Sequence, residues 1–470
     1  MNAMDAMDVT FGAGEATLGA PWPTNLTRVA TGEMVLAGVP VPDLAAEFGT
    51  PAYLLDEGDF RARAAAYVQA FGEAFSAIGS RCQVYYAGKA NLNLTIAKWA
   101  VEEGLGVDTA SHGELATALR AGVPARSIGF HGNNKSEAEL REAIAAGVGQ
   151  IIVDSLAEID EVARVAAGLG VVQPVLVRVS TGVHAGGHKY ISTGHEDQKF
   201  GLSIFPAPGS HDSAAMVALS RVLDKPSLEL RGIHSHIGSQ IFDAAGFKAA
   251  ATALVKLRAD LNRRKGVLVP ELNLGGGYGI AYLPGEADFD PRTAAQVLAT
   301  TIGDASRALG TPAPDVAIEP GRSIVGPAGI TIYTVGAIKP VHVTGKDGKG
   351  LTRLYVSVDG GMSDNIRPVL YQAKYHGELA NRVSSGPTQL ARVVGKHCES
   401  GDILIKDIQL PTDLRSGDLL AVAATGAYGH SMASNYNMAM RPPVISVADG
   451  RATTLVRRET IADLLARDLG

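Results

Sequence analysis

Lys89 follows the short apolar run Val84-Tyr85-Tyr86-Ala87 and a glycine, and precedes Ala90-Asn91. A lysine at a strand end, set among small residues, can lose its proton and condense with a carbonyl as a Schiff base. An ordinary surface lysine fits the same pattern, its stem laid along apolar neighbours. Other chemistry-bearing groups recur further along the chain. His234 and His236 are two apart, so on a strand they share one side. They fit three uses: metal ligands, satisfied core imidazoles, or an imidazole laid on a flat cofactor. No carboxylate-rich or lysine-bridged cluster accompanies them, and no metal is expected. Gly238-Ser239 offers an amide and a hydroxyl to an anion. Gly275-Gly276-Gly277 either makes a tight turn or brings backbone close to a ligand with consecutive N–H groups exposed. Glu319-Pro320-Gly321-Arg322 places a carboxylate and a guanidinium together. Asp154, before Ser155, reads as a helix N-cap rather than a catalytic acid, and Asn133 as a turn residue.

These groups need a scaffold, and the periodicity supplies one. Apolar runs at Val84–Ala87, Gly106–Ala110, Ser127–His131, Gln150–Val153, Val175–Val179, Leu230–Ile237, Glu271–Leu274 and Asp315–Ile318 alternate with stretches of helical spacing. Eight such units predict an α/β chain with a (β/α)8 TIM-like barrel, and a doubly wound dinucleotide-binding sheet would need a GxGxxG that is absent. The helix leading in has Phe60, Ala64, Tyr67, Phe71, Phe75 and Ile78 on one face, with Asp56 placed to cap it. From Gly329 onward, short alternating segments divided by Gly, Pro and Asp turns predict an all-β region, and a short helix is expected at Glu459–Arg467. In a barrel the chemistry sits where strands end, and phosphates are often held after the seventh and eighth strands. The triple glycine and Glu319–Arg322 fall at those two ends. A lysine, an anion cradle, a ring-facing histidine and a strand-end carboxylate together match the needs of pyridoxal phosphate: imine, phosphate, ring face and pyridine nitrogen.

The 470 residues carry a formal net charge of -6 without a run of Lys or Arg, which gives no electrostatic support for a nucleic-acid groove or an anionic membrane patch. Cys82 and Cys398 are far apart and lack CxxC spacing, so neither a disulfide framework nor a zinc knuckle is expected, and a reducing cytoplasm fits. No apolar stretch reaches membrane-spanning length, and the first residues show neither a basic nor an apolar targeting region. Residues 1–28 are expected to be a flexible tail.

The motifs YAGKAN (Tyr86–Asn91), GVDTASHGEL (Gly106–Leu115), YISTG with KFG (Tyr190–Gly201), GIHSHIGSQI (Gly232–Ile241), NLGGGYG (Asn273–Gly279), EPGR (Glu319–Arg322), IRPVLY (Ile366–Tyr371), CESGD (Cys398–Asp402) and GAY (Gly426–Tyr428) occur in order. The chain thereby resembles the fold-type III pyridoxal-phosphate decarboxylases, and in particular their diaminopimelate-specific branch, over nearly everything after the tail. The resemblance implies a pyridoxal-binding barrel at 56–327 (alanine-racemase-like) and a β-sandwich or β-barrel-like domain of 29–55 with 328–470. It implies pyridoxal 5'-phosphate on Lys89, with His236 against the ring and Glu319 at the ring nitrogen. Ser239, Gly275, Gly276, Gly277, Gly321, Arg322 and Tyr428 would surround the phosphate or its approach. Arg322, Arg367, Tyr371, Glu399 and Tyr428 would bind the substrate, and Cys398 would act as the proton donor. In isolation Arg367 would read as a surface ion pair and Cys398 as a buried apolar thiol. The implied reaction is decarboxylation of meso-2,6-diaminopimelate to L-lysine and carbon dioxide, in a homodimer whose CESGD loop completes the neighbouring site. A decarboxylase of ornithine or arginine, or a non-catalytic relative, is the alternative; CESGD with IRPVLY favours the first. Two departures from the family pattern stand out: Gly88, where a larger aliphatic is usual, and Met438-Ala439-Met440, where more polar residues are expected.

Overall fold

The computed structural model describes residues 16–183, 199–344, 348 and 350–470. The first fifteen residues and the YISTG motif, 190–194, lie outside the described residues. Eight parallel strands, Cys82–Ala87, Gly106–Thr109, Ile128–Phe130, Gln150–Val153, Gln173–Ser180, Leu228–His234, Glu271–Asn273 and Asp315–Ile318, pair in chain order and close on themselves. Closure runs through Val316 beside Cys82 and Ile318 beside Val84. Strands covered by helices on one face and filled by side chains on the other tend toward apolar residues at successive positions. This is why Ile151, Ile152, Val153, Leu176 and Val177 are all buried.

The helices between them start where the sequence permits only one kind of start. Asn93, Ser111, Ser136, Ser155, Ser213, Asp243 and Asp290 each accept a hydrogen bond from a first-turn N–H, satisfying donors that the helix cannot satisfy itself. Asp56 caps the lead-in helix Glu57–Ser76 as expected. Asp154 does not cap: Ser155 does, and Asp154 Oδ1 instead accepts from the N–H of Gly201 at 2.8 Å.

Ala52–Asp56 lies between Gly329–Thr344, antiparallel to it, and Val444–Ala448, parallel to it, in a second sheet that continues through Gly350–Val358, Thr388–Val394 and Ile403–Pro411. Residues 16–28, expected to belong to a flexible tail, are folded. Ala16–Thr17 and Leu26–Arg28 pair with each other, and Leu26–Arg28 with Met34–Leu36. Trp22 and Leu26 are buried with Met34, Leu36, Val41 and Leu44 against the second sheet, apolar surface that a free tail would leave in water. The C-terminal helix spans Ile461–Leu465, capped by Thr460, shorter than the expected 459–467.

In the turn after the strand Gly350–Val358, Asp364 is buried. It accepts hydrogen bonds from the Tyr333 hydroxyl and the Gly361 N–H, yet burial pushes its carboxyl up to about 7. Folded protein thus holds this proton more tightly than the unfolded chain, so the stabilisation is complete below pH 4 and is lost as pH rises toward 7. The loss is on the order of 4 kcal/mol. Urea unfolding from pH 4 to pH 8 should show this decline, and Asp364→Asn should flatten it; an unchanged slope in the variant would assign the decline to other groups.

Candidate active site

Lys89 sits in a single 3-10 turn, Gly88–Ala90, directly after the first barrel strand. Its side chain is exposed rather than set in apolar surroundings, and it borders a cavity of about 1110 Å³ at the carboxyl ends of the strands. The turn accepts only a small residue before the lysine. A Cβ on Gly88 would lie 2.7 Å from the carbonyl oxygen of Asp108 and 3.1 Å from Leu92, which explains the departure from the larger aliphatic. Two bonds tie the turn to the C-terminal region: Tyr428 N–H to the Ala90 carbonyl at 2.8 Å, and the Asn91 amide to the Gly426 carbonyl at 3.0 Å. Through them Tyr428 is brought to the cavity wall.

Opposite lies Glu319, at the end of the eighth strand. Its Oε1 is 2.9 Å from Nε2 of His234 and 3.5 Å from Nε2 of His131, and the latter nitrogen is 3.3 Å from Oδ1 of Asp108. Burial pushes both imidazoles down to about 4, so they are neutral at pH 7. Burial also opposes charge on Glu319, but His234 and His131 outweigh it and hold the carboxyl well below its usual range. Burial, and then the Glu319 anion, push Asp108 well above the usual range. Within the cluster, negative charge is favoured on Glu319 and disfavoured on Asp108. The ligand atoms of His131, His234 and Glu319 lie within 4.8 Å of one another, close enough to share a divalent ion; without one, the hydrogen bond between His234 and Glu319 already uses two of them. His131 was visible at the end of the third strand, but nothing in its spacing marked it.

His236 is half-buried beside this cluster. Its Nδ1 accepts the Gly276 N–H at 3.1 Å, which leaves that nitrogen without a proton and the ring neutral. Burial, followed by the nearby Lys89 charge, depresses its pKa in the same direction. The glycine run makes this approach possible. Gly275 has φ +68°, and a Cβ at Gly276 would lie 2.1 Å from the Glu319 carbonyl oxygen. The expected row of free N–H groups is only partly present: Gly275 donates to Asn273 Oδ1 at 2.9 Å and Gly276 to His236. Gly277 borders a side pocket of about 50 Å³ with Ser239, Gly321, Arg322 and Tyr428, a small polar recess of a size for an anion.

Arg322 and Arg367 are both buried on the cavity wall. Nη1 of Arg322 donates to the Tyr282 hydroxyl at 2.6 Å, and Nη2 to Ser239 Oγ at 3.0 Å. Nη1 of Arg367 donates to the same Tyr282 oxygen at 2.8 Å and also to Tyr375. Tyr371 is half-buried and lines the same cavity. Cys398 and Glu399 do not: both are exposed, outside the lining, on a loop where Cys398 N–H meets Asn437 Oδ1 at 3.3 Å. A single chain thus gathers Lys89, His236, Ser239, Glu319, Arg322, Arg367, Tyr371 and Tyr428, and leaves the CESGD pair at the surface.

Residues 57–326 match the family of pyridoxal-dependent decarboxylases through its pyridoxal-binding domain. The diaminopimelate decarboxylase of Mycobacterium tuberculosis is 49% identical over 455 residues, covering 95% of this chain and 97% of that one. The chain belongs to the diaminopimelate decarboxylase family. The Bacillus subtilis member is 43% identical over 93% of this chain and 95% of its own. Among solved structures, the M. jannaschii diaminopimelate decarboxylase in complex with L-lysine superposes with a TM-score of 0.86 at 32% identity, over 95% of this chain and 98% of that one. The family's (β/α)8 barrel with a β-rich C-terminal region is therefore the fold of this chain as well.

The close fit around the glycine run is testable. Gly276→Ala must push the loop off the Glu319 backbone, at a cost of roughly 1–3 kcal/mol. Urea unfolding should read that loss, and an unchanged midpoint would show that the loop yields freely.

Proposed function

We propose that this member of the diaminopimelate decarboxylase family uses pyridoxal 5'-phosphate to convert meso-2,6-diaminopimelate to L-lysine and carbon dioxide, in the cytoplasm and as a homodimer. The observation that carries the substrate reading is the meeting of an exposed lysine amine, one ionised carboxylate and two buried guanidiniums around a single cavity. In this reading the barrel is residues 56–327, and 29–55 with 328–470 form the second domain.

The residues present fit the cofactor. The Lys89 amine is open to the cavity for a Schiff base with the aldehyde. The small recess beside Gly277, Ser239, Gly321 and Arg322 suits a phosphate, and the Arg322 Nε is a buried donor with no partner among the described residues. Glu319 is ionised where a protonated ring nitrogen needs a counter-charge, and His236 is neutral where a ring face would stack on it. When bound, the cofactor supplies an electron sink for the pair released as carbon dioxide leaves. The chain does the rest. Glu319, held by its hydrogen bond to His234, would be the counter-charge to a protonated ring nitrogen, and Arg322 and Arg367 would bind the substrate's distal carboxylate with Tyr371 and Tyr428 beside them.

Cys398 returns a proton to the reacting carbon and Glu399 meets the distal ammonium, both from a partner subunit. Their exposure outside this chain's own cavity supports that arrangement, as does the neighbouring exposed surface of Tyr436, Met438 and Met440. A decarboxylase of ornithine would have no use for the paired arginines, since that substrate lacks a second carboxylate.

Purified protein with pyridoxal phosphate should release carbon dioxide from meso-diaminopimelate in preference to ornithine or arginine; release from ornithine alone would sink this reading. Lys89→Ala should lack the visible absorbance band that the cofactor gains on condensing with a lysine amine. Shared sites have a further signature. Lys89→Ala and Cys398→Ala are each inactive, but mixed after subunit exchange they should regain about a quarter of wild-type activity, because half the dimers then carry one intact site. No recovery would place Cys398 in the same subunit's site, and an active Cys398→Ala enzyme would place it outside catalysis.

A further inference from the structure

Tyr282 lies in the loop after the triple glycine and matches none of the motifs that mark the site. Its position is built with care by the chain. Glu286 Oε2 accepts the N–H groups of both Tyr282 and Leu283, at 2.9 and 3.0 Å. Asp288 Oδ1 accepts the N–H of Ala281 at 2.9 Å, and Gln240 exchanges two hydrogen bonds with Ile280. The ring is braced edge-on by Tyr375, with centroids 5.2 Å apart, and lies 5.1 Å from the Arg367 guanidinium.

Arg322 and Arg367 are two like charges taken out of water side by side. Among the described residues neither forms an ion pair with a carboxylate; their partners are the hydroxyls of Tyr282, Tyr375 and Ser239 and the rings of Tyr282, Tyr375 and Tyr428. Of the hydrogen-bond acceptors, Tyr282 alone serves both guanidiniums. Burial raises the tendency of its hydroxyl to keep the proton, yet the two cations prevail and draw its pKa below that of an ordinary phenol, so the oxygen is electron-rich where both point.

We propose that Tyr282 is a specificity-determining positioning residue: its hydroxyl pins the Arg322 and Arg367 guanidiniums as one pair that accepts a single substrate carboxylate. The pair keeps its unbalanced charge for the ligand because its resting partner is a phenol and not a carboxylate, which would neutralise it. Without the hydroxyl, two buried N–H groups lose their acceptor and the guanidiniums are no longer held to a common point.

The inference rests on the substrate reading above, and the test separates the two. L-Lysine and 1,5-diaminopentane differ only by one carboxylate, so their affinities for the holoenzyme, measured by calorimetry, isolate the contribution of the arginine pair. Wild type should prefer L-lysine, and Tyr282→Phe should reduce that preference at least tenfold while diaminopentane binding is unchanged. Turnover of diaminopimelate should show the same factor mainly in KM. Tyr375→Phe, which removes a contact to Arg367 alone, should have a smaller effect and stands in should Tyr282→Phe not fold. The proposal is overturned by a wild-type enzyme without the preference, by Tyr282→Phe that keeps it, by equal weakening of both ligands, or by Tyr375→Phe that lowers the preference as much as Tyr282→Phe does. A wild-type enzyme that binds L-lysine selectively but does not decarboxylate diaminopimelate would overturn the substrate reading alone.

Discussion

Everything at the site depends on the seam where the barrel closes. Val316 and Ile318 pair with Cys82 and Val84, and just beyond them the N–H of Ala87 reaches the carbonyl of Pro320 at 3.2 Å. That seam sets the lysine turn beside Glu319–Arg322, segments some 230 positions apart in the chain, at a spacing fixed by backbone hydrogen bonds. A site held by strand ends is stiffer than one held by loops, and each neighbouring strand adds one group to it: Asp108, His131, Arg178, His234.

The electrostatics follow from how few charges the seam leaves unbalanced. Four titratable groups crowd Glu319's end of the cavity, and burial permits charge on only one of them. Burial disfavours charge on Asp108 and keeps the two histidines neutral, so negative charge is favoured on Glu319 rather than spread over the cluster. At the other wall lie two guanidiniums that pair with no carboxylate among the described residues. An ionised carboxylate at one end and a guanidinium pair free of carboxylate partners at the other orient a zwitterion before any bond is made.

Much of this was legible in the sequence. All eight barrel strands were read at the right places because burial makes each a short stretch rich in apolar residues between helical stretches, and the lysine, the glycines and the acid were read at strand ends for the same reason. What escaped had no such signature. Tyr282 is one of several tyrosines, and its importance lies in where two distant arginines point. His131 became part of the cluster only when barrel closure brought it to Glu319. The glycine run was read as a row of donors, but two of its N–H groups turn inward to Asn273 and His236, a detail of φ and ψ that composition does not encode. Residues 16–28 look polar and Pro-broken in isolation, and fold only because the second sheet offers Trp22 and Leu26 an apolar surface.

The strand Ala52–Asp56 has a consequence for how the protein is made. It is translated before the barrel, yet one neighbour is Gly329–Thr344 and the other is Val444–Ala448, so its hydrogen-bonding edges wait for chain that follows the entire barrel. At a synthesis rate of about 5–20 residues per second, the roughly 390 positions between Tyr53 and Val444 correspond to about 20–80 s on the ribosome. Through that interval four buried apolar and aromatic side chains, Ala52 to Leu55, stand at the root of the helix Glu57–Ser76 with no sheet to join. The nascent chain is thus most in need of a chaperone's cover at its beginning, and its release depends on the last strands to emerge.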